Sequence, residues 1–344
     1  MKKDILKLVR PNILALEPYS TARDEYEGGD IDVWLDANEN PFDNGVNRYP
    51  DPHQLELKGQ LSQIKGVAPK KIFIGNGSDE AIDLIFRVFA RPGVDNAVSI
   101  APTYGMYKVS ASINDVEIKE VQLGENFELP VEALLEATDE NTKIMWICSP
   151  NNPTGNQFEE ADVVALLERF DGIVVVDEAY IDFARGAGFL PRLDEFSNLI
   201  VLQTMSKAWG MAGLRFGLAY ASEEIIRLMD MAKSPYNINV LTQARVAEQL
   251  KKGIDAQVAT IMSERARVIK AFESMDSIEK VFPTDANFVL IRVADANGLY
   301  DKLVEGGVIV RNRSKILGCA NTLRVTIGTE AENDRMLKII TEFK

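Results

Sequence analysis

Between residues 72 and 220, short apolar runs alternate with stretches of helical periodicity, and this alternation constrains the fold more than any other feature. The clearest run is Ile173-Val174-Val175-Val176, where every residue is β-branched. A strand without a polar face has to be covered on both sides. Further strands are predicted at Lys71–Ile74, Ala97–Ile100, Val116–Val121, Lys143–Cys148, Leu199–Leu202 and Leu214–Ala221. Helices are predicted between them at Ser78–Ala90 and Glu159–Phe170. In the first of these, Ile82, Ile85, Phe86 and Phe89 fall on one face. Strands separated by helices imply an α/β fold with a mostly parallel sheet covered by helices on both faces.

The flanking segments differ. Residues 1–50 are rich in Pro, Asn, Asp, Gly and Tyr, and stretches such as Asn47-Arg48-Tyr49-Pro50-Asp51-Pro52 cannot sustain a helix. They read as an arm wrapped on another surface. From residue 222 the chain is mainly helical, with helices expected at Glu223–Ala232, Val240–Lys251 and Asp255–Met275. Strands at Asn287–Val293, Val308–Arg311 and Thr322–Ile327, with helices at Asn297–Val304 and Glu330–Thr341, imply a smaller α+β unit. The expected organisation is an N-terminal arm over 1–40 packing with the small unit, a large domain over 41–254 and a small domain over 255–344.

Composition narrows the function. A length of 344 residues fits about two domains. Fifty-two acidic residues against 38 basic ones give a net charge of −14, which disfavours nucleic acid and anionic membranes as partners. An anionic ligand must then be caught by a local cluster of cations. A single histidine, His53, excludes multi-histidine metal sites, so no metal is expected. Cys148 and Cys319 form no CxxC pattern, and they fit a reducing, cytoplasmic setting. Asp4, Lys7 and Arg10 interrupt the apolar stretch near the start, which therefore does not read as a secretory signal. No apolar run approaches the roughly 18 residues of a membrane helix.

In open α/β sheets, ligands bind beyond the carboxyl ends of the strands. Four candidate segments lie there. The run Ile173–Val176 ends in Asp177-Glu178-Ala179-Tyr180, and a carboxylate directly after buried apolar residues is costly unless it meets a positive partner. The strand at Leu199–Leu202 leads to Ser206-Lys207, with Arg215 eight residues on. Lys143–Cys148 leads into Asn151-Asn152-Pro153-Thr154-Gly155, a rigid turn presenting amides. Ile72–Ile74 leads into Gly75-Asn76-Gly77-Ser78-Asp79-Glu80, a glycine turn opening a helix. That turn is either a capped helix start, with Ser78 or Asp79 as cap, or a phosphate cradle. Together the four segments have one economical meaning. A lysine forms an imine with an aldehyde cofactor, a carboxylate pairs with its pyridine nitrogen, and a glycine-helix turn plus an arginine holds its phosphate. Those are the protein contacts of pyridoxal 5′-phosphate.

In order and spacing, Asn152-Pro153-Thr154-Gly155, Asp177-Glu178-Ala179-Tyr180 and Ser206-Lys207 with Arg215 resemble the fold-type I, class I/II aminotransferases. Arg10-Pro11-Asn12, Asn47-Arg48-Tyr49-Pro50, Pro102-Thr103-Tyr104-Gly105-Met106-Tyr107, Ala212-Gly213-Leu214-Arg215 and Leu323-Arg324-Val325-Thr326-Ile327-Gly328-Thr329 look like the histidinol-phosphate aminotransferase branch. The resemblance implies a mostly parallel seven-stranded sheet with a smaller α+β domain and an arm. It also implies a homodimer with shared active sites, acting on a phosphorylated amino alcohol and a keto acid in histidine biosynthesis.

It implies roles as well. Lys207 carries the cofactor and moves the Cα proton, its own pKa lowered by burial and Arg215. Asp177 keeps the pyridine nitrogen protonated. Tyr180 and Asn152 donate to the ring's phenolate oxygen, and Tyr104 stacks on the ring. Gly77, Ser78, Asp79, Ser206 and Arg215 form the phosphate cup, joined by Tyr49 of the neighbouring subunit. Arg324 grips the substrate carboxylate. Arg311 takes the substrate phosphate with Tyr19, and Arg313 and Lys315 stand close by. A threonine-phosphate decarboxylase or an aromatic or broad-specificity aminotransferase would share this core, whereas a non-enzymatic effector would not need it.

Overall fold

The structure, a computed structural model, describes residues 3–20 and 32–343. Strands β1 (Ile72–Asn76), β2 (Asn96–Ala101), β3 (Glu117–Gln122), β4 (Thr142–Cys148), β5 (Ile173–Asp177), β6 (Leu199–Thr204) and β7 (Phe216–Tyr220) form one sheet. Their spatial order is β1-β7-β6-β5-β4-β2-β3. β2 to β6 pair in parallel, and β7 runs antiparallel to both β6 and β1. The register aligns Cys148 with Asp177, and Asp177 with Leu202, so these strands end in one row.

The uniform burial of β5 follows from its sequence. Val174 and Val176 pack into one apolar cluster, while Ile173 and Val175 pack into the cluster on the opposite face. The covering helices are α1 (Pro11–Leu14), α2 (Leu55–Lys65), α3 (Ser78–Phe89), α4 (Met106–Ile113), α5 (Val131–Glu136), α6 (Glu160–Arg169), α7 (Glu223–Ala232) and α8 (Val240–Leu250). Helix α3 buries Ile82, Ile85, Phe86 and Phe89, the face read from its sequence. Helices α2, α4 and α5 were not legible from spacing. In α2 only Leu57, Lys58 and Leu61 are buried, too narrow a stripe to give a periodic signal.

After α9 (Asp255–Glu273) comes a second sheet of β8 (Ile278–Val281), β9 (Phe288–Val293), β10 (Arg311–Asn312) and β11 (Thr322–Thr326), covered by α10 (Ala296–Glu305) and α11 (Glu330–Thr341). Its order is β10-β11-β9-β8, all antiparallel. Two expectations are corrected here. Val308–Val310 is not a strand, so Arg311 begins β10 rather than ending a longer element. β8, with the polar sequence Ile-Glu-Lys-Val, was not foreseen, because an edge strand with half-exposed residues lacks an apolar run.

The arm is corrected as well. Its described N-terminal part does not pack with the small unit. Ile5, Val9 and Ile13, spaced four apart, are buried in the cluster containing α3 and Trp146. The Arg10 N–H donates to the Val88 carbonyl at 2.9 Å. An apolar stripe seeks the nearest uncovered apolar surface, and here that is the large sheet's helix layer. Residues 21–31 of the arm lie outside the described residues.

The turn that opens α3 rests directly on β7. A Cβ built on Gly217 would lie 2.0 Å from the Ser78 backbone nitrogen. No side-chain rotation relieves a backbone clash, so Gly217→Ala is expected to push the turn outward and cost about 1–3 kcal/mol of stability. A thermal midpoint equal to that of the unaltered protein would show that the turn yields freely.

Candidate active site

The carboxyl ends of β4, β5 and β6 open onto a cavity of about 750 Å³ whose lining includes Cys148, Asp177 and Thr204. Helix α3 contributes Ser78 and Asp79 to its wall, the segment after β6 contributes Ser206, Lys207 and Arg215, and the second sheet contributes Arg311, Arg313 and Arg324. Tyr104, Asn152 and Tyr180 complete the set.

Asp177 is 2% exposed. Its Oδ2 accepts from the Tyr107 hydroxyl at 2.6 Å, and its Oδ1 accepts from the Ala179 N–H at 3.1 Å. Both donors are neutral. Burial pushes the carboxyl up to about 6, against the pull of those two hydrogen bonds. A group so placed gains most from a cation brought into the cavity.

Lys207 projects into the cavity, its Nζ 5.8 Å from the Tyr180 ring centroid. The residue is partly exposed, and the surrounding protein holds its amine below the ordinary lysine range. Burial is the main cause and the Arg324 charge the next; Asp177 opposes them, and Arg215 adds less. The sequence pointed to Arg215 for this effect, but the larger repulsion comes from the second sheet.

Helix α3 starts at Gly77, whose φ is +74°, and no side chain caps it. Neither Ser78 nor Asp79 acts as the cap, which corrects that expectation. The uncapped N–H groups of the first turn are left for an anion. Arg215 curls over the turn. It holds a left-handed backbone (φ +52°), and its carbonyl accepts the Gly77 N–H at 2.8 Å. A Cβ on Gly77 would meet the tip of the Arg215 side chain, Nη2, at 2.6 Å and push it aside, and the positive φ itself favours glycine. The Asp79 carboxylate does not point its charge at an incoming anion. Instead Oδ2 accepts from Arg215 Nη2 at 3.2 Å and Oδ1 accepts from the Tyr104 hydroxyl at 3.1 Å.

The arginines form a cationic cluster on the opposite wall. Arg311 and Arg324 stand directly opposite each other across β10 and β11. Like charges in cross-strand register are destabilising on their own. Burial and the charges of Arg324 and Arg311 push Arg313 down to about 10. The Nε atoms of Arg313 and Arg324 are buried without hydrogen-bond partners. Arg324 Nη1 donates to Asn152 Oδ1, and its guanidinium lies 5.2 Å over the Phe288 ring. Phe288 in turn packs edge-on to Tyr180 at 5.2 Å. Three clustered guanidiniums, two of them with an unmet Nε donor, fit a multiply charged anion.

Two of the predicted residues are not brought to this cavity. Tyr49 stacks on Tyr236 at 4.3 Å in a separate groove, and Tyr19 is exposed in another beside His53 and Leu55. Conversely, Tyr107 and Gly217 were given no role from sequence. Tyr107 lies three residues after Tyr104, and that spacing was the available signal; in the structure their rings meet edge-on at 5.6 Å.

Comparison with known proteins agrees with this geometry. The model of the family "Aminotransferase class I and II" matches residues 22–340. The chain is 51% identical over 344 residues to the histidinol-phosphate aminotransferase of Parabacteroides distasonis, covering 99% of both chains. Its structure is similar to that of the histidinol-phosphate aminotransferase from Clostridium acetobutylicum (TM-score 0.79, 25% identity, 86% of this chain and 90% of that one). It is also similar to that of the enzyme of the same name from Sinorhizobium meliloti, solved with pyridoxal 5′-phosphate (TM-score 0.77, 23% identity, 86% and 82%). Because the family match runs through nearly the whole chain, and half its residues are shared with a full-length relative, the chain belongs to the class I and II aminotransferases.

Proposed function

We propose that this protein is a pyridoxal 5′-phosphate-dependent transaminase. It exchanges an amino group between L-histidinol phosphate and 2-oxoglutarate, giving imidazole acetol phosphate and glutamate, in histidine biosynthesis. The observation that carries this is a single cavity lined by a lysine of lowered proton affinity, a buried acid without an ion-pair partner and three arginines, two of them opposed across a strand pair. The half-identical full-length relative named for that reaction supports the choice of substrate.

The residues fit the cofactor. The uncapped turn at Gly77, Ser78 and Asp79, with Ser206 and Arg215, would hold the phosphate. Asp177 would hold the proton of the pyridine nitrogen, which resolves its uncompensated burial. Tyr180 would donate to the phenolate oxygen. Asn152, its amide oxygen taken by Arg324, would donate there through its NH2 end. Tyr104, tethered to Asp79, would lie on the ring face. When bound, the cofactor supplies an electron-withdrawing ring that stabilises the carbanion left at substrate Cα.

Lys207 then acts as the base. Its lowered proton affinity favours the uncharged amine, which takes the Cα proton at Nζ and gives it back. Arg324 orients the α-carboxylate of the acceptor. Arg311, with Arg313 beside it, binds the dianionic phosphate of the donor. One site thus serves two differently charged substrates in a ping-pong cycle, since only one occupies it at a time.

The same proposal includes a homodimer in which Tyr49 and Tyr19 complete the partner's site, and a division of the chain at 254/255. A single chain leaves both tyrosines outside its own cavity, and Leu35, Phe42 and Leu241 are exposed. Cytoplasmic residence is proposed too. No helix among the described residues is long and apolar enough to cross a membrane.

Lys207→Ala is expected to remove the visible absorbance band of the cofactor-loaded protein and to lower turnover at least about 10²-fold; normal turnover would refute the base. Arg311→Ala is expected to raise KM for histidinol phosphate about ten- to a hundredfold while leaving phenylalanine turnover nearly unchanged. Equal losses for both substrates would remove its phosphate role.

A third outcome concerns the cofactor-free protein. The folded carboxyl of Asp177 titrates at about 6 against an ordinary 3.8, so the folded state binds the extra proton. Its contribution to stability is present below pH 3.8, fades as pH rises to about 6, and stays lost above, a cost of about 3 kcal/mol. Asp177→Asn is expected to stabilise the cofactor-free protein at pH 7 while weakening cofactor binding. Chemical denaturation at pH 4 and pH 7 checks this, and a variant no more stable than the parent at pH 7 contradicts it.

A further inference from the structure

Tyr107 is a buried titratable side chain that the scheme above leaves without a task. We propose, resting on the assignment of Asp177 to the pyridine nitrogen, that Tyr107 is a positioning residue. Its hydroxyl sets how fully Asp177 holds that nitrogen protonated, and so how strongly the ring withdraws electrons.

The geometry is restrictive. Tyr107 is 1% exposed. Its ring stacks on Trp146 of β4 at 4.8 Å with an interplanar angle of 16°, and meets Tyr104 edge-on at 5.6 Å. Trp146 is itself backed by Phe86 of α3 at 5.3 Å. Held between β4 and the loop that carries Tyr104, the phenol donates at 2.6 Å to Asp177 Oδ2, with the buried Cys148 thiol as its other polar neighbour. The other oxygen of Asp177 accepts from a backbone N–H, which no side-chain change can alter. Among the described residues, Tyr107 is therefore the side chain that hydrogen-bonds this carboxylate, while Asp79 and Lys207 act on it only through their charge.

The chemical consequence has a definite sign. A hydrogen bond donated to a carboxylate stabilises its charged form and lowers its appetite for a proton. When the carboxylate faces a protonated nitrogen, losing that donor moves the shared proton from nitrogen toward oxygen. A hydrogen bond to a charged group corresponds to roughly a ten- to hundredfold change in proton affinity. The shift lies in the equilibrium between N–H···O and N···H–O, with no atom gained or lost. The same phenol also backs Tyr104, so one residue locates both the acid and the aromatic face of the cofactor site.

The experiment uses pyridoxal 5′-phosphate labelled with ¹⁵N at the ring nitrogen, bound to the parent protein and to Asp177→Asn, Tyr107→Phe and Trp146→Phe. The parent should show a protonated nitrogen resonance, and Asp177→Asn should move it toward the unprotonated position. Tyr107→Phe, which keeps the stack and removes only the hydroxyl, should move it part of the way. kcat should fall about tenfold while KM for histidinol phosphate stays within about twofold. Trp146→Phe, which alters the stack and keeps the hydroxyl, should leave the resonance in place.

A Tyr107→Phe resonance coincident with the parent's overturns the inference while leaving Asp177's role intact. An unmoved resonance in Asp177→Asn overturns that role itself. If Tyr107→Phe does not retain the cofactor, ¹³C-carboxyl titration of the cofactor-free proteins decides the matter. Asp177 should titrate higher in the variant than in the parent, and an equal midpoint rejects the proposal.

Discussion

Asp177 closes a strand that is apolar on both faces, so its carboxylate is carried into the protein by the burial of Ile173–Val176. Hydrophobic packing of β5 fixes where the carbonyl and side-chain atoms of its last residue lie. The charge placed there meets only a phenol and a backbone amide. It is almost wholly buried, and no lysine or arginine among the described residues pairs with it within ion-pair distance. The cavity in front of it therefore favours a bound cation, and a protonated pyridine nitrogen meets that requirement.

The opposite wall works by the same physics with the sign reversed. Arg311 and Arg324 share a cross-strand pair, and Arg313 follows directly after β10. Their repulsion is a standing cost that an anionic substrate relieves. It also depresses the proton affinity of Lys207, for which Arg324 matters more than Arg215. On the proposed assignment, substrate recognition and the base would be linked through one guanidinium: a substrate carboxylate neutralising Arg324 would weaken its repulsion on Lys207.

Between the two walls, small residues let backbone segments meet. Gly217 allows the phosphate turn to rest on β7, and Gly77 allows Arg215 to curl over that turn. Both are close-approach positions, and the left-handed backbone of Arg215 is tolerated because the Gly77 N–H holds its carbonyl. A strained residue held at a ligand site by its surroundings is a recurring arrangement in such pockets.

Much of this was legible in the residues alone. The β-branched run at 173–176, the helical face at 82–89 and the motifs around Asn152, Asp177 and Lys207 determined an α/β sheet with a lysine, an acid and a glycine turn at its carboxyl edge, because local patterning encodes which elements form and which residues end them. The rest was not local. That Tyr107 meets Asp177 depends on a contact 70 residues apart in sequence, and that Arg324 outweighs Arg215 at Lys207 depends on how the second sheet is placed. The seat of Ile5, Val9 and Ile13 on the large sheet's helices, and the start of β10 at Arg311, were likewise decided by surfaces distant in the chain. Spacing specifies periodicity and ends; only packing in three dimensions selects which charge faces which, since that energy depends on separations and burial that no linear pattern contains.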